Sequence, residues 1–137
     1  MKRLIELKDD GYCFACGRLN PAGLHLSFEK SQSKVITSFT PQKEHQGYAD
    51  VIHGGIITTV LDEAMVKACI LNGINAMTAE ITVRFKKPLL TGTACRVEAW
   101  INSEGLRLIE AEAVMKDQDG EIVAFSKAKL VPSKEEK

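Results

Sequence analysis

The stretch HGGIITTVLDEAMVKACILNG, residues 53–73, decides the fold. At about 100° per residue, most of its apolar side chains gather on one side of a helix. Gly54 and Gly55 follow His53 at the start, and Gly73 lies where a C-terminal cap belongs. We therefore predict one long helix that begins at His53–Gly55 and ends near Asn72–Gly73. Its predicted core stripe is Ile57, Val60, Leu61, Ala64, Met65, Ala68 and Leu71.

The rest of the helix surface is not a normal solvated face. It carries Thr58, Thr59, Val66, Cys69 and Ile70, and a helix that is apolar nearly all round is buried on more than one side. In a domain this small, the second covering surface is expected to be another copy of the chain. The helix pattern therefore predicts a homodimer.

Three charged side chains lie in this helix. Glu63 and Lys67 are four residues apart in the favourable order, which predicts an ordinary surface ion pair. Asp62 has no such partner, and desolvation would raise its pKa towards that of a useful base. Its spacing fits two roles equally well: a functional carboxylate, or a polar contact at the helix start or the dimer seam.

Strand-like segments with alternating polarity surround the helix, two before it and four after it. We predict a single curved antiparallel sheet wrapped around the central helix, an α+β architecture, with Glu110 and Glu112 opposite Lys127 and Lys129. The predicted strands are 24–29, 34–39, 77–86, 95–102, 109–116 and 122–130.

Strict alternation over 77–86 has a specific consequence for the first strand after the helix. It places Met77 and Phe85 on the apolar face, and Thr78 on the opposite, polar face.

Composition limits the classes of function. The chain has 137 residues, with 18 basic and 18 acidic side chains, so we expect one domain over 1–137, with a leader and loop at 1–23 and a tail at 132–137. A chain with no net charge lacks the excess of basic side chains that is typical of nucleic-acid binders. It also has no run of like charges that would bind a charged membrane surface. Charges interrupt the first apolar run, so there is no signal-peptide core and a cytoplasmic location is expected.

The four cysteines are Cys13, Cys16, Cys69 and Cys95, and a cytoplasmic location favours thiols over disulfides. Cys13 and Cys16 form a Cys-x-x-Cys pair, but a structural zinc site usually takes four ligands from two such pairs. Because Cys69 and Cys95 are single residues in apolar segments, the sequence favours a packed loop and no metal.

Two separated motifs carry a resemblance to a known family. Residues 53–64, His-Gly-Gly followed by Asp62, resemble the signature of hotdog-fold acyl-CoA thioesterases of the phenylacetate-pathway and 4-hydroxybenzoyl-CoA group. CFACGRLNPAGL, residues 13–24, is similar to the Cys-x-x-Cys-Gly-x-x-Asn-Pro-x-Gly-Leu leader of one branch. The resemblance extends over about residues 13–131 and implies a hotdog fold.

The resemblance also implies roles for individual residues. Asp62 matches the carboxylate that activates water or attacks the thioester directly, and both routes stay open. Gly54, with Gly55, matches the amide donor to the thioester carbonyl, while His53 caps this turn or contacts substrate. Thr78 matches the hydroxyl that positions the water. The family's active site lies at the subunit interface of a homodimer or of a tetramer built as a dimer of dimers.

Substrate-binding residues are expected on both sides of the helix start. The resemblance suggests that His45, Gln46 and Gly47 line the entrance, although some relatives have asparagine where this chain has Gly47. Coenzyme A, which enters only as part of the substrate, carries phosphates. Their best partners are Arg84 and Lys86, with Lys87 in the same cluster and Arg18 as a second candidate. No other cofactor is expected.

Three alternatives compete with an acyl-CoA thioesterase. An acyl-thioester dehydratase shares the fold but pairs histidine with a carboxylate in a different local pattern. A non-catalytic acyl-CoA-binding or regulatory module would bind without cleaving. A plain oligomeric scaffold would not need Asp62.

Overall fold

The computed structural model describes residues 7–133; the outer parts of the predicted leader and tail lie outside them. A short 3-10 helix, Lys43–His45, precedes the α-helix, and within 7–133 no helix has the length and apolarity that a membrane crossing requires. The main elements are β1 (Glu29–Ser31), β2 (Lys34–Phe39), α1 (Gly54–Leu71), β3 (Ala76–Phe85), β4 (Cys95–Glu104), β5 (Ile109–Asp117) and β6 (Ile122–Pro132).

Helix α1 has the predicted ends, and six of the seven residues of its predicted core stripe are buried. His53 is the N-cap, and its side chain accepts a hydrogen bond from the Gly55 amide. At the other end Gly73 takes a φ of 78°, which ends the helix in the left-handed region that glycine favours. The buried helix residues are Ile57, Val60, Leu61, Ala64, Met65, Ala68 and Cys69, so Cys69 takes the place predicted for Leu71.

The strands form a single antiparallel sheet in the order β1-β2-β4-β5-β6-β3, and α1 packs against its apolar face. The α+β prediction is confirmed. So is the cross-strand register on the outer face, because Glu110 lies opposite Lys129 and Glu112 opposite Lys127.

The first strand differs from the prediction. Residues 24–28 are not part of the sheet, and β1 covers only Glu29–Ser31. His25 has a φ of 55°, which breaks the extended run. The backbone amides on either side bond to the leader instead, Leu24 N to Phe14 O and Leu26 N to Ala15 O. The alternating pattern in 24–29 reflects packing beneath this loop.

A β-bulge changes the face assignment of β3. Thr78 pairs with Leu130 and Glu80 with Lys129, so Ala79 has no partner in β6. The extra residue breaks the alternation, and Met77 is 51% exposed where the sequence predicted it to be buried. Thr78 instead reaches α1. A bulge is a recurrent way to redirect a side chain beside a functional site.

Removing the centre of the core should destabilise the fold strongly. Leu61 is completely buried between α1 and the sheet, so Leu61→Ala should lower the free energy of unfolding by about 2–5 kcal/mol. Leu106 is 96% exposed, and Leu106→Ala should change it by less than about 0.5 kcal/mol. Urea denaturation of both variants measures the two values, and equal losses would contradict this packing.

Candidate active site

The N-terminus of α1 presents one free backbone donor. The Gly55 amide donates to His53 Nδ1 at 2.8 Å, so it is occupied and the proton of the neutral imidazole lies on Nε2. Within residues 7–133, the Gly54 amide has no acceptor. The donor expected from the glycine pair is therefore Gly54 alone, at the positive end of the helix dipole.

An aromatic ring lies beside that donor. A Cβ on Gly54 would be 3.4 Å from Cζ of Phe85, and Phe85 is 50% exposed at the end of β3. Arg84 and Lys86, the expected phosphate partners, flank Phe85 and are exposed. The fold thus brings the backbone on either side of Phe85 close to the start of α1.

Lys87 does not join this basic cluster. Its Nζ donates to Asp117 Oδ2 at 2.8 Å and to Glu121 Oε1 at 2.7 Å. The two carboxylates fix it at the turn between β5 and β6. Arg18, the second candidate, is exposed in the leader loop.

The loop before α1 runs alongside His53. The His53 amide donates to His45 O at 3.0 Å, and a Cβ on Gly47 would be 3.5 Å from His53 Cα. Gln46 Oε1 accepts from the Asp50 amide at 3.0 Å, so this side chain braces the loop. His45, Gln46 and Gly47 therefore lie next to the start of the helix.

The carboxylate of Asp62 lies further along α1 and is held by one hydroxyl. Thr78 Oγ1 donates to Asp62 Oδ1 at 2.6 Å. Among the described residues, Oδ2 has no hydrogen-bond donor. The bulge at Ala79 makes this contact possible because it turns Thr78 towards the helix.

The surroundings of Asp62 raise the pKa of its carboxyl group. Burial is the largest cause, and the neighbouring negative charge of Glu63 adds to it, while the Thr78 hydrogen bond acts in the opposite direction. A carboxylate with a raised pKa is a stronger base when it is ionised. One oxygen is fixed, and the other is free to accept a proton.

Asp62 and the Gly54 amide cannot act on one carbonyl within a single chain. They are eight residues apart on the same helix, which at 1.5 Å per residue is about 12 Å. A base and an oxyanion donor must both lie about 3 Å from the reacting atoms. A reaction that used both groups on one carbonyl would therefore need a second copy of α1.

A third cluster lies between the leader and the far side of α1. Cys13 Sγ, Cys16 Sγ and a Glu63 carboxylate oxygen all lie within 4.8 Å of one another. Glu63 also pairs with Lys67 at 3.5 Å, as predicted, but both side chains are largely covered, so the expected surface pair is half-buried. These are the residues that could hold a metal ion.

A family model places the chain among known proteins. The model described as "Thioesterase superfamily" matches residues 49–124, which is more than half of the chain. The chain belongs to the thioesterase superfamily. The match covers α1, β3, β4 and β5 and includes His53, Gly54, Asp62 and Thr78.

Several other proteins of known structure share this fold. The Escherichia coli PaaI protein from the phenylacetic acid degradation operon is 19% identical, with a TM-score of 0.76 over 81% of both chains. Streptococcus mutans smu.793, bound to acetyl-CoA, is 18% identical, with a TM-score of 0.76 over 82% of this chain and 91% of its own. These likenesses confirm the hotdog fold.

A hypothetical thioesterase from Streptococcus pneumoniae TIGR4, solved with coenzyme A, is 15% identical, with a TM-score of 0.76 over 82% of this chain and 88% of its own. Two further structures are alanine variants of a hypothetical thioesterase from that strain. One replaces an aspartate, and the other a threonine sixteen residues further along.

A curated relative comes from Schizosaccharomyces pombe and is described as uncharacterized. It is 29% identical over 96 residues, which cover 61% of this chain. The match spans only 55% of the relative's length.

Sequence reasoning missed two members of these clusters. Phe85 was assigned to the core face, and it does share a face with Ile81 and Val83, but at the end of β3 it is half exposed and its ring lies beside Gly54. Glu63 was assigned to solvent because the leader that covers it lies 50 residues earlier in the chain. No local signal in the sequence joins Glu63 to Cys13.

Removing the hydroxyl beside Asp62 should raise its pKa further. Thr78→Val keeps the side-chain shape but deletes the only contact that lowers the pKa, so burial and Glu63 act unopposed. Carboxyl carbon NMR titration of Asp62 should show a midpoint at higher pH than in the wild type. Thr82→Val, on an exposed position of the same strand, is the control, and an unchanged midpoint in Thr78→Val would contradict the assignment.

Proposed function

We propose that this superfamily member hydrolyses an acyl-CoA thioester to a free acid and coenzyme A. The observation that carries the proposal is the half-buried Asp62, with one oxygen fixed by Thr78 and the other free. Membership of the thioesterase superfamily supports the reaction class, and the coenzyme A and acetyl-CoA in the structural relatives support the substrate class.

Asp62 acts as a general base in this proposal. Its free Oδ2 removes a proton from water as the water oxygen attacks the thioester carbonyl carbon. The raised pKa increases the basicity of the carboxylate, which suits it to remove this proton. Thr78 keeps the carboxylate in one orientation, as the third member of a catalytic set does.

The pneumococcal variants support the same pair of residues. In that protein the replaced aspartate and threonine are sixteen residues apart. Asp62 and Thr78 have the same separation in this chain. We propose that the two pairs correspond.

The Gly54 amide stabilises the negative charge that develops on the carbonyl oxygen. A free amide at a helix N-terminus is directed outwards and is aided by the helix dipole. When the tetrahedral intermediate collapses, the carbon–sulfur bond breaks and coenzyme A leaves as a thiolate. A thiol has a pKa of about 8.5, so this departure needs no strong acid. His53 fixes the turn through Gly55 rather than taking the proton.

Each active site uses two chains in this proposal. The 12 Å estimate along α1 requires Asp62 of one chain to face Gly54 of another. Two surfaces are suited to that contact. One is β3, which among the strands of residues 7–133 pairs with β6 alone. The other is the outer side of α1, where Ile70 is 44% exposed. We propose a homodimer, or a tetramer built as a dimer of dimers.

The coenzyme A moiety binds beside the start of α1. Arg84 and Lys86 meet its phosphates, while His45, Gln46 and Gly47 line the entrance for the thioester. No redox or metal cofactor takes part, because the amide supplies the electrophilic assistance and Asp62 the base.

Thiol release from a panel of acyl-CoAs tests the reaction. The panel includes acetyl, medium-chain, long-chain, phenylacetyl and 4-hydroxybenzoyl esters, and at least one should be cleaved. For the best substrate, Asp62→Asn should lower kcat by about 10²–10⁴-fold, since the amide cannot accept the proton. Glu110→Gln makes the same chemical change at an exposed site on β5 and should leave kcat unchanged.

Two results would reject the proposal. Wild-type turnover by Asp62→Asn would remove Asp62 from the mechanism. Binding of acyl-CoAs without cleavage of any ester in the panel would favour a non-catalytic acyl-CoA-binding module instead.

A further inference from the structure

The leader loop holds two sulfur atoms in a fixed turn. The Cys16 amide donates to Cys13 Sγ at 3.4 Å, and the Gly17 amide donates to Cys13 O at 2.8 Å. A Cβ on Gly17 would be 2.4 Å from Cys13 N, so only glycine fits there. Backbone amides that donate to cysteine sulfur are the kind of outer contact that orients metal ligands.

Helix α1 supplies a third ligand from the opposite side. Glu63 Oε1 lies 3.9 Å from Cys13 Sγ, and its other oxygen, Oε2, lies 3.5 Å from Lys67 Nζ. The carboxylate is therefore oriented, with one oxygen towards the sulfurs and one towards the ammonium group. The three ligand atoms lie within 4.8 Å of one another.

That spacing is close to the spacing around zinc. Zinc–ligand bonds of about 2.0–2.3 Å place tetrahedral ligand atoms roughly 3.4–3.8 Å apart. Small side-chain rotations close the remaining gap. The cluster also borders a cleft of about 540 Å³, which leaves room for a water molecule at a fourth position.

From this arrangement we propose that Cys13, Cys16 and Glu63 bind one zinc ion, with water as the fourth ligand. Two thiolates favour zinc over magnesium or calcium, which prefer oxygen. The charges of zinc, two thiolates, Glu63 and Lys67 cancel, so the half-buried site holds no net charge. Zinc binding displaces one proton from each thiol.

The role of this ion is to fasten the leader to α1. The reaction proposed above does not use it, and the two proposals stand or fall separately. The sequence pointed away from a metal because it offered only two nearby cysteines. The fold adds Glu63 as the third protein ligand.

Metal titration of the full chain, kept reduced with a phosphine that does not bind zinc, tests the site. Zinc competed against a chromophoric chelator should bind one ion per chain, and cobalt should give sulfur-to-metal charge-transfer absorption. Both signals should be lost in the double variant Cys13→Ser/Cys16→Ser. Cys69→Ala, which removes a cysteine outside the proposed site, should keep both signals.

Glu63→Gln makes the test independent of cysteine replacement. It keeps the side-chain shape and should weaken zinc binding by at least about 10-fold. This variant tests the site even if the serine variants lose their circular dichroism signal because they do not fold. Excess zinc should raise the Tm of the wild type by at least about 5 °C, but not that of the double variant. Absence of stoichiometric zinc binding in the wild type, or equal binding by the double variant, would overturn the proposal.

Discussion

The hydrogen bond from Thr78 Oγ1 to Asp62 Oδ1, at 2.6 Å, connects the helix to the sheet at the centre of the proposed chemistry. It exists because a single extra residue, Ala79, interrupts the pairing of β3 with β6. Strict alternation would direct Thr78 away from the helix. The irregularity exposes Met77 and leaves Asp62 with one oriented oxygen and one free oxygen. The bulge in this edge strand thus gives Asp62 the fixed orientation that the proposed general base needs.

The rigidity of α1 imposes the second constraint. Helical rise separates the free Gly54 amide from Asp62 by about 12 Å, and no side-chain movement changes the position of a backbone amide. In the proposed mechanism, each chain therefore carries half of each of two active sites. A second copy, placed against α1 and the outer edge of β3, would complete both active sites. The apolar outer side of the helix would then serve catalysis as well as the stability of the dimer.

Much of this architecture could be predicted from residue order. The helix, its core stripe and the register of Glu110 and Glu112 with Lys129 and Lys127 follow from periodicity, because burial on one face imposes it. The short β1 could not be predicted, since His25 adopts a left-handed φ that alternation does not reveal. Long-range partners were also hidden. Lys87 and its basic neighbours in the sequence suit a phosphate site. In the folded chain, however, Lys87 is paired with Asp117 and Glu121, which are distant from it in sequence.

A subunit-mixing experiment tests the central claim of a base and an amide donor shared between chains. Gly54→Pro deletes the amide at the first helical position, where proline is tolerated and where His53, with a ψ of 133°, already has a compatible backbone. This variant and Asp62→Asn should each be inactive alone. Mixed by reversible denaturation, they should recover about a quarter of wild-type activity, because half of the dimers hold one intact site. No recovery, despite heterodimers detected by mass spectrometry, would contradict the account.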